Sequence, residues 1–383
     1  MSKIIKLILL FLYLIPFTIV FEKEYQLTYL SLLFLFSAFY FGNIILKSGS
    51  LKPVDYSNFM VSNNSLLFIS FTLYILFKNE LVFNVFTHLF SGDLVEWSLE
   101  NAVSRYNGYE ENPGMFYNLG TLCMFLYAML LGTIEKRKYY FLFIVGLLFI
   151  FLIESSTLGR AGTFAALIAL FSELLIRKNK VIQNLSNLKF VKIGIVIFLL
   201  FSFVFLYSAI NRLDADDDVF MVLQIKIGEY LIGPYQAFFV WHNNFTFEDQ
   251  VQKPLFNLFT AVYKLTGSMV KQGSYNLIKT DYGYTNIFTI MRALYADLGF
   301  FFSFVLFFLY GLFIKYFTFK RMNYFEYFFV RIALNIFLMV ILSPFNFSTF
   351  LLATIISFIL LFLTNNRKGS NLLKKQINIS KNI

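Results

Sequence analysis

The residues able to do chemistry in this sequence are few, and several are ionisable groups set inside or beside apolar runs. Glu154 precedes the turn STLGRAG at 156–162 and Arg160 lies within it, and Arg292 and Asp297 begin a later apolar run. An ionisable side chain in such a position costs about 2.5–3.5 kcal/mol to insert into a membrane, so each one needs a partner or a purpose.

Arg160 has two interpretations. Gly159 and Gly162 flank it and leave its guanidinium unobstructed at the start of a predicted helix, where partial positive charge favours an anion. Alternatively, Arg160 pairs with Glu154 and closes the turn. The residues alone leave both interpretations open.

Other cations share this ambiguity. Arg212 directly follows an apolar run and Arg105 lies within a long connection, so each is a candidate anion ligand or a topology residue. Arg292 and Asp297 are separated by about 140° around a helix, so we expect them to face different neighbours. Arg331, inside an apolar run, is interpreted as a residue that pairs within a bundle or snorkels to its edge.

Candidate bases lie beside the apolar segment GPYQAFFVW. Glu229 lies a few residues before this segment and His242 directly follows it. Partial desolvation there would raise a carboxylate pKa or lower a histidine pKa, as a general base requires. Asp297 is the third candidate. The alternative for His242, and equally for His88, is a purely structural role.

Metal and nucleotide chemistry have little support. Cys123 is the single cysteine, which excludes an internal disulfide and a thiolate metal cluster. The run DADDD at 214–218 has an Asp-x-Asp spacing suited to a hard cation, but a solvated acidic turn is favoured. The sequence lacks a phosphate-cradling GxxxxGK[ST] motif. We expect neither a metal nor a cofactor.

Composition places these residues in a membrane protein. Of the 383 residues, 58% are hydrophobic and 14% charged, and the mean hydropathy is +0.68. Too little charge is available to coat a water-soluble fold of this size, which excludes soluble enzymes, disordered scaffolds and secreted disulfide domains. The sequence therefore predicts an all-α polytopic membrane protein, and the net charge of +10 is interpreted as a topology signal rather than a nucleic-acid site.

About ten transmembrane helices are predicted from apolar runs of suitable length. They are 4–21, 25–46, 60–77, 115–134, 139–155, 162–176, 193–210, 292–314, 324–342 and 346–363. Lys3 and Lys6 precede the first run without a small-residue cleavage site, so this run is interpreted as a retained helix.

Topology follows from the basic residues. Lys and Arg concentrate in alternate connections and in the basic tail 364–383, which predicts cytoplasmic N and C termini around one integral domain, 1–383. The long connections, 78–114 and 211–291, then form periplasmic loops of net negative charge. Within the second, 228–244 and 254–265 are apolar enough to be interfacial or re-entrant helices.

Three segments, in this order around a long outer loop, resemble the Wzy-type polymerases of O-antigen and capsular oligosaccharide repeat units. They are STLGRAG at 156–162, GEYLIGPYQAFF at 228–239 and TNIFTIMRALYADLGFF at 285–301. The resemblance covers most of the chain as architecture. It implies a GT-C-like fold in the bacterial inner membrane, with the active site on the periplasmic face.

The resemblance also implies a reaction and its partners. A growing chain would leave its undecaprenyl diphosphate carrier, with inversion, and join a hydroxyl of an incoming lipid-linked repeat unit. Arg160, Arg212 and Arg292, with Arg105 in reserve, would gather to bind the diphosphate, and Glu229, His242 or Asp297 would take the proton. Membrane lipid and a chain-length regulator protein are the further partners expected, and nucleic acid is not one.

Two alternatives stay open at this point. An O-antigen ligase uses the same donor with a lipid A core acceptor. A flippase moves the same lipid-linked oligosaccharide without chemistry, but it should place charges along a cavity open to both faces, whereas most of the charges named above map to the outer half. This distribution favours a one-sided site.

Overall fold

The described part of the chain is almost entirely helical, as predicted. The computed structural model describes residues 37–38, 41–42, 64–94, 96–98, 100–101, 115–134, 140–156, 160–177, 225, 228, 233–243, 278–280, 283–285, 290–319, 324–338 and 348–380. The chain divides into two compact units, Met1–Val54 with Leu213–Ser348, and Asp55–Arg212 with Thr349–Ile383.

The second of these, which we call the α1–α5 unit, contains six of the described helices. They are α1 (Asn64–Phe77), α2 (Asn79–Ser91), α3 (Met115–Leu131), α4 (Tyr140–Ser156), α5 (Arg160–Arg177) and the last helix of the chain (Ser348–Ser380). The last helix is numbered α9, because the described helices of the other unit precede it in the sequence. Helices α1, α3 and α4 are apolar around most of their circumference, as expected for segments surrounded by other helices or by lipid.

Helix α3 is the centre of the α1–α5 unit. It packs against α1, α4 and α5, and its residues from Cys123 to Leu131 are all buried. The Tyr127 hydroxyl donates a hydrogen bond to the Phe143 carbonyl of α4 over 2.7 Å, and it approaches closely because Gly146 has no side chain. The chain's last helix joins this core, since Phe350 meets Phe125 edge-on at 5.0 Å.

Helices α1 and α2 are separated by a sharp bend at Lys78. Their axes differ by 75°, although the backbone hydrogen bonds from Lys78 to Tyr74 and from Val82 to Lys78 are kept. Helix α2 ends at Gly92, whose φ of 84° is the left-handed conformation typical of a helix C-terminus. The predicted periplasmic loop 78–114 therefore begins with a helix.

The other unit, which we call the α6–α8 unit, contains α6 (Gly233–Asn243), β1 (Ile278–Thr280), β2 (Gly283–Thr285), α7 (Ile290–Phe319) and α8 (Tyr324–Leu338), followed in the chain by α9 (Ser348–Ser380). The two strands form an antiparallel hairpin that pairs Ile278 with Thr285, a departure from the purely helical prediction. Helix α6 packs against this hairpin and against α7.

Helix α7 is broken at Gly299. The residue has φ 66° and ψ −179°, a backbone conformation that is essentially restricted to glycine. A side chain there would meet no neighbouring atom, so the requirement for glycine is one of backbone conformation. The break separates a first segment, which carries Arg292 and Asp297, from the long apolar remainder of the helix.

Each predicted span that falls largely within the described residues coincides with a helix. Spans 60–77, 115–134, 139–155, 162–176, 292–314, 324–342 and 346–363 correspond to α1, α3, α4, α5, α7, α8 and α9. Spans 4–21 and 193–210, most of 25–46, and the segment 254–265 lie outside the described residues.

Length and composition mark out fewer membrane-crossing helices than the sequence predicts. Among the described residues, Leu294–Phe313 alone is a single stretch long and apolar enough to cross a membrane, and the bent pair α1 and α2 meets the same criterion when taken together. Four shorter helical stretches are apolar: Met115–Leu131, Phe141–Glu154, Gly162–Leu174 and Ser348–Thr364.

Candidate active site

Helix α6 supplies one wall of the candidate site. Its sequence, GPYQAFFVWHN, places a proline in the first turn, where a missing N–H costs nothing and the fixed φ favours a helix. Residues 236–239 are buried, and Trp241 and His242 are half-buried at the helix end. The prediction of a helix within 228–244 is thus confirmed.

Arg292 and Trp241 join α7 to α6. The guanidinium carbon of Arg292 lies 5.0 Å from the centre of the Trp241 ring, within the range of a cation–π interaction. Trp carries the strongest such ring, and a planar guanidinium stacks on it while keeping its N–H donors at the rim. The Trp241 side chain therefore fixes a cation at the first turn of α7.

His242 lies against the same part of α7. Its ring meets the Tyr295 ring at right angles, with 5.1 Å between ring centres, and Tyr295 is one turn after Arg292. Phe238, one turn before His242, contacts both rings, at 5.7 Å from His242 and 5.6 Å from Tyr295. Burial among these rings lowers the pKa of the His242 imidazole below its ordinary value of 6.5.

Asp297 is on the same segment of α7 as Arg292, two residues before the break at Gly299. Its side chain is half-buried, and it lies between Tyr295 and Gly299 in the sequence. The Gly299 carbonyl at the break accepts a hydrogen bond from the Ser303 hydroxyl over 2.6 Å, which compensates part of the lost helical pairing. Asp297 thus belongs to the same helix end as Arg292.

The arrangement combines two chemical functions in a small volume. A guanidinium offers paired donors to phosphate oxygens, and an imidazole that stays neutral near pH 7 is able to accept a proton. Aromatic rings around both lower the local dielectric, which strengthens their interaction with a charged ligand.

Of the predicted site residues, Arg292 and His242 lie on adjoining helices, against Trp241 and Tyr295 respectively, and Asp297 is on the same segment of α7 as Arg292. Arg160 is the first residue of α5, and the contacts of its side chain are not described. Arg105, Arg212, Glu229 and the run DADDD lie outside the described residues. The gathering of four arginines into one pocket therefore stays a prediction.

Trp241 and Tyr295 were not predicted as site residues, because the prediction rested on ionisable groups and not on the rings that position them. The signal was present, since an apolar helix that ends in Trp-His is set up to present both rings on adjacent faces. Their spacing from Arg292 depends on how α6 and α7 pack, which no local pattern contains.

A second polar cluster, in the α1–α5 unit, was also missed. The Lys78 ammonium is 2.9 Å from the Glu154 carboxylate and 3.2 Å from the centre of the Tyr117 ring, and the Tyr74 hydroxyl donates to Glu154 over 3.1 Å. Both charged side chains are buried. The Lys78 stem passes directly over Gly120, where a Cβ would lie 2.5 Å from the Lys78 Cγ. Glu154 thus has a partner that the sequence interpretation, with Arg160 as its candidate, did not include.

The contacts of His88 and the burial of Arg331 indicate structural roles for these two residues. His88, in the last turn of α2, is 3.0 Å from the Asp93 carboxylate and stacks on Trp97 with 4.9 Å between ring centres. Hydrogen bonds from Ser91 and then from His88 lower the pKa of Asp93. Arg331 is fully buried on α8, which supports pairing within the bundle over snorkelling.

Comparison with known proteins adds no relative. No protein-family model, no curated protein and no solved structure matches this chain. The geometry of the two clusters is therefore the basis on which function is argued.

Proposed function

We propose that this chain is an inner-membrane polymerase of undecaprenyl-diphosphate-linked oligosaccharide repeat units, with about ten spans and cytoplasmic termini. One observation carries the proposal: the Arg292 guanidinium lies over the Trp241 ring, while the neighbouring His242 packs against Tyr295 of the same α7 turn. This places an anion-binding group and a candidate base on two adjoining helices.

Arg292 suits the departing group. As the bond between the anomeric carbon and the diphosphate breaks, its electron pair moves onto a phosphate oxygen and negative charge concentrates there. A guanidinium meets two such oxygens at once and is never deprotonated, so it needs no metal to balance that charge. The contact with Trp241 restricts the guanidinium before the substrate arrives, which is the condition for electrostatic stabilisation of a transition state.

His242 suits the attacking group. The acceptor hydroxyl attacks the anomeric carbon from the face opposite the diphosphate, a new C–O bond forms, and the configuration is inverted. The hydroxyl proton passes to the neutral imidazole. A base with a pKa lowered by burial is unprotonated at neutral pH and is therefore ready to accept this proton. Asp297, at the same helix end, and Glu229 are the other candidate bases.

The position of the cluster favours an enzyme over a flippase. Arg292 and His242 belong to one end of α7 and one end of α6, as a one-sided site requires, and the long apolar remainder of α7 runs away from them. A ligase would use the same donor chemistry, so the acceptor distinguishes it from a polymerase. Product attached to the lipid carrier indicates a polymerase, and product attached only to a lipid A core indicates a ligase.

Arg292→Ala tests the proposal in cells. We expect chain elongation to fall by about 10²- to 10³-fold, the usual cost of removing one such donor, so that single-unit product replaces long chains on a gel. Arg292→Lys keeps the charge but not the planar fork and should retain part of the activity. Lys279→Ala, which removes an exposed cation from the same unit, is the matched control.

Protein abundance in the membrane must be equal for all four forms. Long chains of unchanged distribution in Arg292→Ala would contradict the assignment of Arg292 to the diphosphate. An equal loss in Lys279→Ala would show that the loss comes from altered net charge and would also contradict it.

A further inference from the structure

Helix α2 leaves a strip of large apolar side chains uncovered. Phe83, Phe86, Leu89 and Phe90, which we call the α2 apolar strip, are between 37% and 84% exposed. At 100° per residue they occupy an arc of about 120°, with Phe83 and Phe90 at one side of it. The strip is therefore a continuous surface along the helix.

A polar arc adjoins the strip. Glu80, Asn84, Thr87 and Ser91 fall within about 60° of one another on the neighbouring side of the helix. The remaining side faces protein, because Val85 is buried there. Phe86, the least exposed member of the strip, also contacts Phe149 of α4 at 5.8 Å. Helix α2 thus has one side for protein, one polar side and one apolar side.

The bend at Lys78 sets the direction of α2. An α1 helix that crosses a membrane would leave α2, at 75° to it, close to the plane of the membrane surface. The buried contacts of Lys78 with Glu154 and Tyr117 hold the residue at this bend. With 13 residues, α2 is about 20 Å long, too short to cross the hydrocarbon core of about 30 Å. Helix α1 has 14 residues but is the described part of the longer predicted span 60–77.

We propose that α2 is an interfacial helix whose apolar strip inserts into the boundary between lipid headgroups and acyl chains. Lipid is the occupant because the strip follows directly on an exposed apolar surface of α1, where Phe68 is 67% exposed and Leu76 is similarly uncovered. Insertion of the apolar area supplies the binding, since Glu80 and Asp93 near the strip are acidic and would not attract anionic headgroups. The inference rests on the membrane placement in the proposed function, but not on glycosyl transfer.

Single nitroxide labels on the full chain test the inference. In a Cys123→Ala background, labels are placed at Phe83 and Phe90 in the strip, at Glu80 and Ser91 in the polar arc, and at Phe68 of α1. The protein is reconstituted in phosphatidylcholine vesicles, and collisions with oxygen and with water-soluble NiEDDA are measured. Labels at 83 and 90 should collide more often with oxygen than with NiEDDA. Labels at 80 and 91 should collide more often with NiEDDA than with oxygen.

Every other pattern overturns the inference. Preference for NiEDDA at 83 and 90 would show that the strip faces water, and exclusion of both reagents would show that protein covers it. Preference for oxygen at 80 and 91 as well would show that α2 crosses the membrane. The label at Phe68 separates the two proposals: if it prefers NiEDDA, the membrane placement itself fails, whereas if it prefers oxygen, failure at 83 and 90 concerns α2 alone.

Discussion

The two polar clusters treat a buried or half-buried cation in opposite ways. Lys78 is fully buried, with a carboxylate at 2.9 Å and a tyrosine face at 3.2 Å. Arg292 is half-buried, and the ring of Trp241, which carries no charge, lies 5.0 Å away. A cation neutralised within the protein holds helices together. A guanidinium beside an aromatic ring is held in one position, from which its N–H donors can meet a ligand.

This difference separates stability from activity. Changes at Lys78 should reduce the amount of folded protein, because a buried carboxylate would lose its counter-ion. Changes around Arg292 should reduce turnover of protein that remains folded, because the rings and the guanidinium act on the substrate.

Lys78→Met should destabilise the protein by about 3–5 kcal/mol, since it leaves Glu154 buried beside an apolar side chain. Denaturant unfolding of the full chain in detergent measures this loss. The double variant Lys78→Met with Glu154→Leu removes both charges and should recover most of the stability. Lys279→Ala, at an exposed position, should change it by no more than about 0.5 kcal/mol. A single variant as stable as wild type would show that the ion pair does not hold the bend.

His242→Gln should lower turnover by about 100-fold, the lower end of the range for a general base, without loss of folded protein. In the wild type, His242 has a pKa below 6.5 and is neutral above it. Its contribution is therefore present at neutral pH and is lost as the pH falls through this lowered pKa. A pH profile of elongation measures the effect, and the same acidic limb in His242→Gln would contradict a role as base.

Trp241→Phe should have the smallest effect, a loss of about two- to fivefold in turnover. Phe keeps an aromatic ring, but its cation–π interaction with Arg292 should be weaker by about 0.5–1 kcal/mol. Trp241→Leu removes the aromatic face entirely and should be more damaging. If Leu and Phe give the same activity, packing and not the ring face positions Arg292, and the contrast with Lys78 loses its basis.

The positions of the helices could be predicted because the apolar runs that mark them are local. The predicted span 115–134 corresponds to helix Met115–Leu131, and the predicted span 139–155 corresponds to helix Tyr140–Ser156. Helix α2 was missed although Phe83, Phe86 and Phe90 have helical spacing, because 78–114 was interpreted as a connection between spans. An apolar arc beside a polar one is a weaker signal than a continuously apolar run.

The clusters could be predicted only in part, since their partners are distant in the sequence. Lys78 and Glu154 are 76 positions apart, and the sequence placed the first at the start of a loop and the second at the end of a span. Arg292 and His242 were both identified from their chemistry. Their meeting through Trp241 and Tyr295 depends on the packing of α6 on α7, a long-range contact that carries no local signature.

If Arg292 stabilises the departing diphosphate, loss of its guanidinium should slow transfer by purified protein in vesicles that contain a synthetic undecaprenyl-diphosphate-linked repeat unit. Released lipid diphosphate and the two-unit product are counted together for wild type, Arg292→Ala and Lys279→Ala. The account predicts one diphosphate released for each glycosidic bond formed, at a rate lowered about 10²- to 10³-fold in Arg292→Ala alone. Equal rates in wild type and Arg292→Ala, or no transfer by wild type, would contradict it.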